Sequence, residues 1–258
     1  MISTQALITI AAFLTGLVLG SFLNVVIARL PKRQSIVSPR SRCPRCKAAI
    51  RPWDNIPVLS YMLLGGRCRD CHARISWRYP LVELTAGLLL AALTLRAEHP
   101  ALLVPHAVFL LALLAVTWID LDTQTIPDAL TIPGVGIGLA ASLFGPPGLG
   151  AALLGALVGG ASLWVVGYAY ERATGVPGMG GGDVKLAAMM GAFLGMGGVF
   201  SAIFLASLFG SLFGVVLIAR GKGSRRTAIP FGTFLAPAAM ALLLYGDSIY
   251  GWYRSLVP

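Results

Sequence analysis

The chain has 258 residues, 57% hydrophobic and 12% charged, with a mean hydropathy of +0.80. A soluble domain carries about twice that charged fraction, so the composition excludes a soluble globular protein and reads as a membrane protein. The net charge of +10 does not signal nucleic-acid binding, because no aromatic-interleaved basic face accompanies it; membrane orientation accounts for the basic residues better.

Apolar stretches fall at 4–27, 79–95, 101–119, 129–144, 149–170, 184–196, 199–219 and 229–246. Eight spans are the simplest count. The run 184–219 is too long for one helix across roughly 30 Å of hydrocarbon, and Gly195-Met196-Gly197-Gly198 divides it into a hairpin of short helices. The expected fold is an all-α polytopic membrane protein of about eight transmembrane helices, with a small cytoplasmic zinc-knuckle domain between the first two. Its expected divisions are a first helix over 1–27, a four-cysteine zinc domain over 28–78 and a transmembrane domain over 79–258.

Orientation follows from Lys and Arg. With residues 28–78, the segments around 120–128 and 171–185, and the loop 220–228 on one side, all but Arg96 and Arg254 of the 20 basic residues lie there. That side is read as cytoplasmic, which puts both termini outside and brings Asp120, Asp122, Asp128 and Asp183 to the cytoplasmic face of a cytoplasmic, or inner, membrane. The N-terminal stretch has no basic n-region and runs directly into Arg29-Leu30-Pro31-Lys32-Arg33, so it reads as a retained helix.

The first span carries Gly16-x-x-x-Gly20, a face of small residues open to close helix contact, and then Asn24, which needs an interhelical hydrogen bond. Residues 28–78 hold Cys43-Pro44-Arg45-Cys46 and Cys68-Arg69-Asp70-Cys71, the four cysteines of the chain. Paired C-x2-C turns each present two thiolates, and Cys43, Cys46, Cys68 and Cys71 together read as a closed structural zinc site; redox-active thiols are the alternative. Glu83 lies about one turn inside the second span, where it is either functional or paired with a nearby Arg or helix end.

The third span ends in Trp118-Ile119-Asp120, and His106 within it reads as a packed histidine. Asp122 follows, and Ile126-Pro127-Asp128 starts the fourth span with Asp128 as a cap. Gly145-Pro146-Pro147-Gly148 reads as an external turn, and Gly155-x-x-x-Gly159 as another close helix contact. The glycine-rich loop Gly178-Met179-Gly180-Gly181-Gly182 sets Asp183 at the start of an apolar run, with bare loop amides suited to an anionic group. Lys185 follows, placed to act on that carboxylate or on phospholipid. Arg220 to Arg226 read as a topology anchor, and Ile229-Pro230-Phe231-Gly232 opens the last span.

Two carboxylates from different helices, brought together at a water-accessible membrane edge, can share one proton. One activates water while the other polarises the carbonyl, which is aspartyl protease chemistry. Asp120 directly ends a span and Asp183 directly begins one, so those two are the expected pair.

The combination of Gly180-x-Gly182-Asp183-x-Lys185, Asp120-x-Asp122 with Ile126-Pro127-Asp128, Ser21-Phe22-Leu23-Asn24 with Arg29-Leu30-Pro31, and the twin cysteine turns resembles the bacterial type IV prepilin peptidases. The resemblance covers nearly the whole chain. It implies that Asp120 and Asp183 are the catalytic pair, with Gly178, Gly180, Gly182 and Lys185 in the supporting loop. It also implies cleavage of the basic leader of type IV prepilins or type II secretion pseudopilins after a Gly. N-methylation of the new N-terminal residue with S-adenosylmethionine is the second activity implied. One departure is Val176-Pro177, where many members carry Glu; it alters loop rigidity and leaves the pair intact. No Rossmann-type Gly-rich loop is present, so Arg51, Trp53, Asp54 and Glu83 of the polar region are the candidates for the methyl-donor site. The competing readings are a related Gly-x-Gly-Asp membrane protease without the methyltransferase activity, and a proton-coupled transporter; against the latter, the acids cluster at one face.

Overall fold

A computed structural model describes residues 3–176, 178–221 and 229–256. Pro177 of the departing dipeptide and residues 222–228 of the expected basic anchor lie outside the described residues. Eight α-helices account for most of the rest: α1 (Thr4–Arg29), α2 (Leu59–Leu63), α3 (Arg78–Arg96), α4 (Leu103–Thr123), α5 (Asp128–Ala141), α6 (Leu149–Thr174), α7 (Gly181–Ala219) and α8 (Gly232–Leu256). No strand occurs among the described residues, which hold two isolated antiparallel bridges, Arg42 with Ala49 and Arg67 with Arg74. Six of the helices are long and apolar enough to cross a membrane, and α5 is a shorter apolar helix.

The chain forms two compact units, Met1–Glu98 and His99–Pro258. The α3 span, grouped from sequence with the spans that follow it, belongs to the first unit and packs on α1. Glycines explain the closeness of that pair. A side chain at Gly16 would strike the backbone of Ala86 and Gly87 at 2.6–2.7 Å, and one at Gly20 would meet the Glu83 Cα at 2.7 Å. Asn24 donates from its amide to the carbonyl of Tyr79 on α3 at 3.1 Å and to Gly20 on its own helix, the interhelical bond its position demands.

Between α1 and α3 the cysteine region folds as two copies of one turn, offset by 25 residues. The Cys43 amide donates to the Ala48 carbonyl and the Cys68 amide to that of Ala73, both at 2.9 Å. Lys47 donates back to Cys43, and His72 back to Cys68; Ile50 donates to Ser41, and Ile75 to Gly66. Lys47 and His72 both take the left-handed conformation that closes such a turn, with φ of 62° and 53°.

In the second unit, α4 is buried along Phe109, Leu110, Leu113, Val116 and Ile119 and packs on α5 and α8; Leu186, Met189 and Met190 of α7 and Leu235 of α8 are fully buried as well. Phe109 stacks on Phe193 at 4.1 Å, and His106 lies against the same ring, a packed histidine. Large apolar side chains such as Leu157, Trp164, Phe204 and Leu212 stay exposed, as lipid-facing surfaces require.

The run 184–219 bends as its glycines require. Helix α7 is interrupted at Gly195, which sits at φ 68° and ψ −177°, outside any helix. A side chain at Gly159 of α6 would touch both Ala187, before the break, and Val199, after it. Twelve residues of straight helix would hold those two about 18 Å apart, so the chain turns back at Gly195. The first arm rests on α6 with backbone against backbone: Gly155 and Gly191 face each other so closely that neither position has room for a Cβ.

Candidate active site and cysteine centre

Asp120 lies in the last turn of α4 and is 4% exposed. Its Oδ2 accepts two hydrogen bonds from one residue, the Thr233 backbone amide at 2.8 Å and the Thr233 hydroxyl at 3.2 Å. Thr233 stands in the first turn of α8, where amides have no helical partner and are free to hold an anion. The residue before it is a glycine, and a side chain there would crowd the site. A Cβ at Gly232 would fall 3.0 Å from that same Oδ2 and 2.9 Å from Ile126 Cδ1.

Asp183 enters from the opposite chain direction, in the first turn of α7, with its amide donating to the Gly180 carbonyl at 3.1 Å. It lies close enough to Asp120 for the two charges to act on one another. Ile126 is the common neighbour: its Cβ would be 2.9 Å from a side chain at Gly182, just as its Cδ1 blocks one at Gly232. Glycine on both helix starts therefore lets the two acid-bearing elements close on the same isoleucine. Asp183 Oδ1 is buried and has no hydrogen-bond partner among the described residues. A buried, unsatisfied carboxylate oxygen is rare unless the site has a use for it.

The other predicted residues sort themselves around this pair. Gly178 makes room for Tyr170, whose Cβ would lie 2.8 Å from any side chain there. Asp122 is exposed, two residues beyond the buried Asp120. Asp128 is the first residue of α5, after the N-cap Pro127, which makes no side-chain capping bond among the described residues. The Asp128 carboxylate holds Lys185, with Nζ 2.7 Å from each oxygen. Lys185 thus ties α7 to α5, through a partner that its position beside Asp183 does not suggest. Sequence reasoning missed Thr233, which follows a motif it read only as the opening of a span. Nothing local marks that threonine, since its partner is 113 residues away.

The four cysteines converge, their sulfurs all within 4.8 Å of one another. Cys43 Sγ and Cys71 Sγ stand 3.8 Å apart. A tetrahedral ion with Zn–S bonds of about 2.3 Å sets its ligands about 3.8 Å apart, so the donor set fits such an ion. The Cys46 and Arg45 amides pull the Cys43 thiol down to about 6. The Ala48 amide pulls on Cys46 in the same sense, but burial and the neighbouring thiols win and push it up to about 12. Four such groups lose their protons together only around a cation. Arg69, between Cys68 and Cys71, donates from Nε and Nη2 of its guanidinium to both oxygens of Asp54, at 2.6–3.1 Å. That grip holds the Asp54 carboxyl below the usual carboxylate range.

Beside this centre, within the first unit, lies a cavity of ≈ 520 Å³. Asp54 and Glu83 are in its wall, whereas Arg51 and Trp53 are not. Glu83, 8% exposed, accepts from the Val58 amide at 2.7 Å.

Residues 14–97 match the model of the bacterial peptidase A24 N-terminal domain, and residues 107–215 that of the type IV leader peptidase family. A prepilin leader peptidase/N-methyltransferase of Aeromonas salmonicida is 42% identical over 95% of this chain and 93% of its own length. Proteins of the same name from Pseudomonas aeruginosa and Burkholderia pseudomallei are 41% and 39% identical, over 95% and 93% of this chain and 92% and 86% of theirs. No solved structure matches significantly. Likeness over almost the full chain, with two acids meeting at helix ends and a four-cysteine centre, settles the kinship: the chain belongs to the type IV leader peptidase family.

Proposed function

We propose that Asp120 and Asp183 form the aspartyl pair of a membrane-embedded endopeptidase that removes the basic leader of type IV prepilins or type II secretion pseudopilins after a Gly. The observation that carries this is the contrast within the pair. Asp120 is fixed by two donors on one oxygen, and Asp183 keeps a buried oxygen with no donor among the described residues. Two such acids titrate as one unit, so one can accept a proton from water as the other donates to the scissile carbonyl. Gly178, Gly180, Gly182 and Lys185 support the loop that delivers Asp183. The distribution of basic residues favours a cytoplasmic-membrane protein with this pair at the cytoplasmic face and both termini outside.

The same chain then N-methylates the exposed N-terminal residue. S-adenosylmethionine, when bound, supplies the methyl group. Cys43, Cys46, Cys68 and Cys71 hold a structural zinc, because four thiolates close the coordination sphere and leave no position for a reacting ligand. Incubating the purified protein in detergent with a leader-bearing prepilin peptide, with and without S-adenosylmethionine, tests both activities by mass spectrometry. Leader loss and a methyl increment are expected from the wild type. The Asp120→Asn and Asp183→Asn proteins, shown to be folded, should lose cleavage by orders of magnitude. Near wild-type cleavage by Asp120→Asn, with loss in Asp122→Asn, would move the pair to Asp122.

A further inference from the structure

The cavity of ≈ 520 Å³ in the first unit falls within the size range of small-ligand sites. Its wall is made by one end of α1 through Ser21 and Asn24, by α3 through Tyr79 and Glu83, and by the cysteine region through Asp54 and Tyr61. Three acids line it, and their partners differ. Asp54 is neutralised by Arg69 through Nε and Nη2 of the guanidinium, and Asp70 faces Arg51 at 3.8 Å. Glu83 is held by uncharged groups, the amide of Val58 and the hydroxyl of Ser21. The cavity's Arg29 is occupied elsewhere, donating to the carbonyls of Ser35 and Pro39. A buried carboxylate supported only by neutral donors still favours a cation nearby, and this one lines the cavity.

The support for Glu83 carries its own strain. Val58 sits at φ 60° and ψ −50°, a conformation that a β-branched residue adopts only when the surroundings impose it. What this conformation achieves is an amide aimed at Glu83 Oε2 at 2.7 Å. Strain of this kind gathers at ligand sites, where it fixes a group before the ligand arrives. Tyr61 and Tyr79 add aromatic rings to the wall, which favour both a cation and a stacked base. Arg42 and Arg74, exposed on the cysteine side of the wall, suit a carboxylate at the other end of the same ligand.

We propose that this cavity is the methyl-donor site and that Glu83 supplies the counter-charge to the donor's sulfonium, an assignment that rests on the methyltransferase reading above. A nucleoside joined to an amino acid through a positively charged sulfur matches the wall point by point: rings for the base, a fixed anion for the sulfonium, arginines for the carboxylate. Glu83 is a positioning and binding residue here, remote in role from peptide hydrolysis.

The test is equilibrium binding of radiolabelled S-adenosylmethionine and, separately, of S-adenosylhomocysteine, which lacks the charge, to the full-length zinc-loaded protein in detergent. Glu83→Gln keeps an acceptor for the Val58 amide and removes the charge. It should weaken S-adenosylmethionine binding about tenfold or more while leaving S-adenosylhomocysteine nearly unaffected. Ala28→Trp, which fills the cavity from α1, should abolish binding of both. Both variants should keep leader cleavage and zinc content, which certifies the fold. Equal weakening of the two ligands in Glu83→Gln, or undiminished binding by Ala28→Trp, would overturn the assignment. A wild-type protein that cleaves leaders but binds neither nucleoside would overturn the methyltransferase reading itself, and this inference with it.

Discussion

Thr233 shows how one residue can serve a site twice. Its amide and hydroxyl both donate to Asp120 Oδ2, so replacing it removes only half of the support. Thr233→Val keeps the shape and the amide, and it should lower kcat for leader cleavage about tenfold with little change in KM. Thr233→Ser should restore the rate, and the pH profile of kcat should shift in the valine protein and return in the serine protein; an unchanged profile in both would reduce Thr233 to a packing role. Lys185 makes the opposite case. It was legible as a functional neighbour of Asp183, yet its partner is Asp128, on another helix, and both side chains are about half exposed. A surface ion pair of this kind contributes about 0–1 kcal/mol, so Lys185→Met should slow cleavage little. In a double-mutant cycle, Asp128→Asn should add nothing further once Lys185 is gone.

Among the elements, the cysteine turns were the most readable part of the chain, because each is closed by bonds between neighbours in sequence. The spacing C-x2-C dictates the turn, and the offset of 25 residues repeats it down to the carbonyl that each cysteine amide finds. With two short turns and little apolar core between them, the region would depend on the proposed zinc for folding. Stripping zinc with a chelator should therefore melt residues 28–78 first, seen as rapid proteolysis there, and methylation should fall before cleavage does. The Asp54–Arg69 pair adds a pH signature. Asp54 titrates lower in the folded protein than its unfolded value of about 3.9, so the pair's stabilisation is complete above about pH 4 and is lost as the pH falls through the folded value. The difference in melting temperature between wild type and Asp54→Asn should be constant at neutral pH and shrink towards zero under acid. The break in α7 was legible too, from an apolar run too long for the bilayer and a cluster of glycines. By contrast, nothing along the chain says that α3 packs on α1: two apolar helices look alike until their small residues are matched face to face.

At the scale of the whole molecule, the two proposed sites fall in different units of the chain. Asp120, Asp183 and Thr233 belong to His99–Pro258, whereas the cysteines and the cavity belong to Met1–Glu98. Methylation of an already cleaved pilin should accordingly survive Asp183→Asn; loss of both activities in a folded protein would argue for one shared site. The positions of Asp120 and Asp183 at helix ends were foreseeable, because each carboxylate sits where an apolar run stops or starts. The partner of Asp120 was not, since Thr233 is an ordinary residue made special by a helix arriving from far along the chain. The meeting of Gly155 and Gly191 carries a mechanical consequence. With main chain lying on main chain, the first arm of α7 has no slack against α6, and Asp183 rides eight residues from that point of contact. Any added side chain there works as a wedge on a short lever: Gly191→Leu should tilt the arm, carry the carboxylate off its mark and silence cleavage. Every group of the acid pair would still be present.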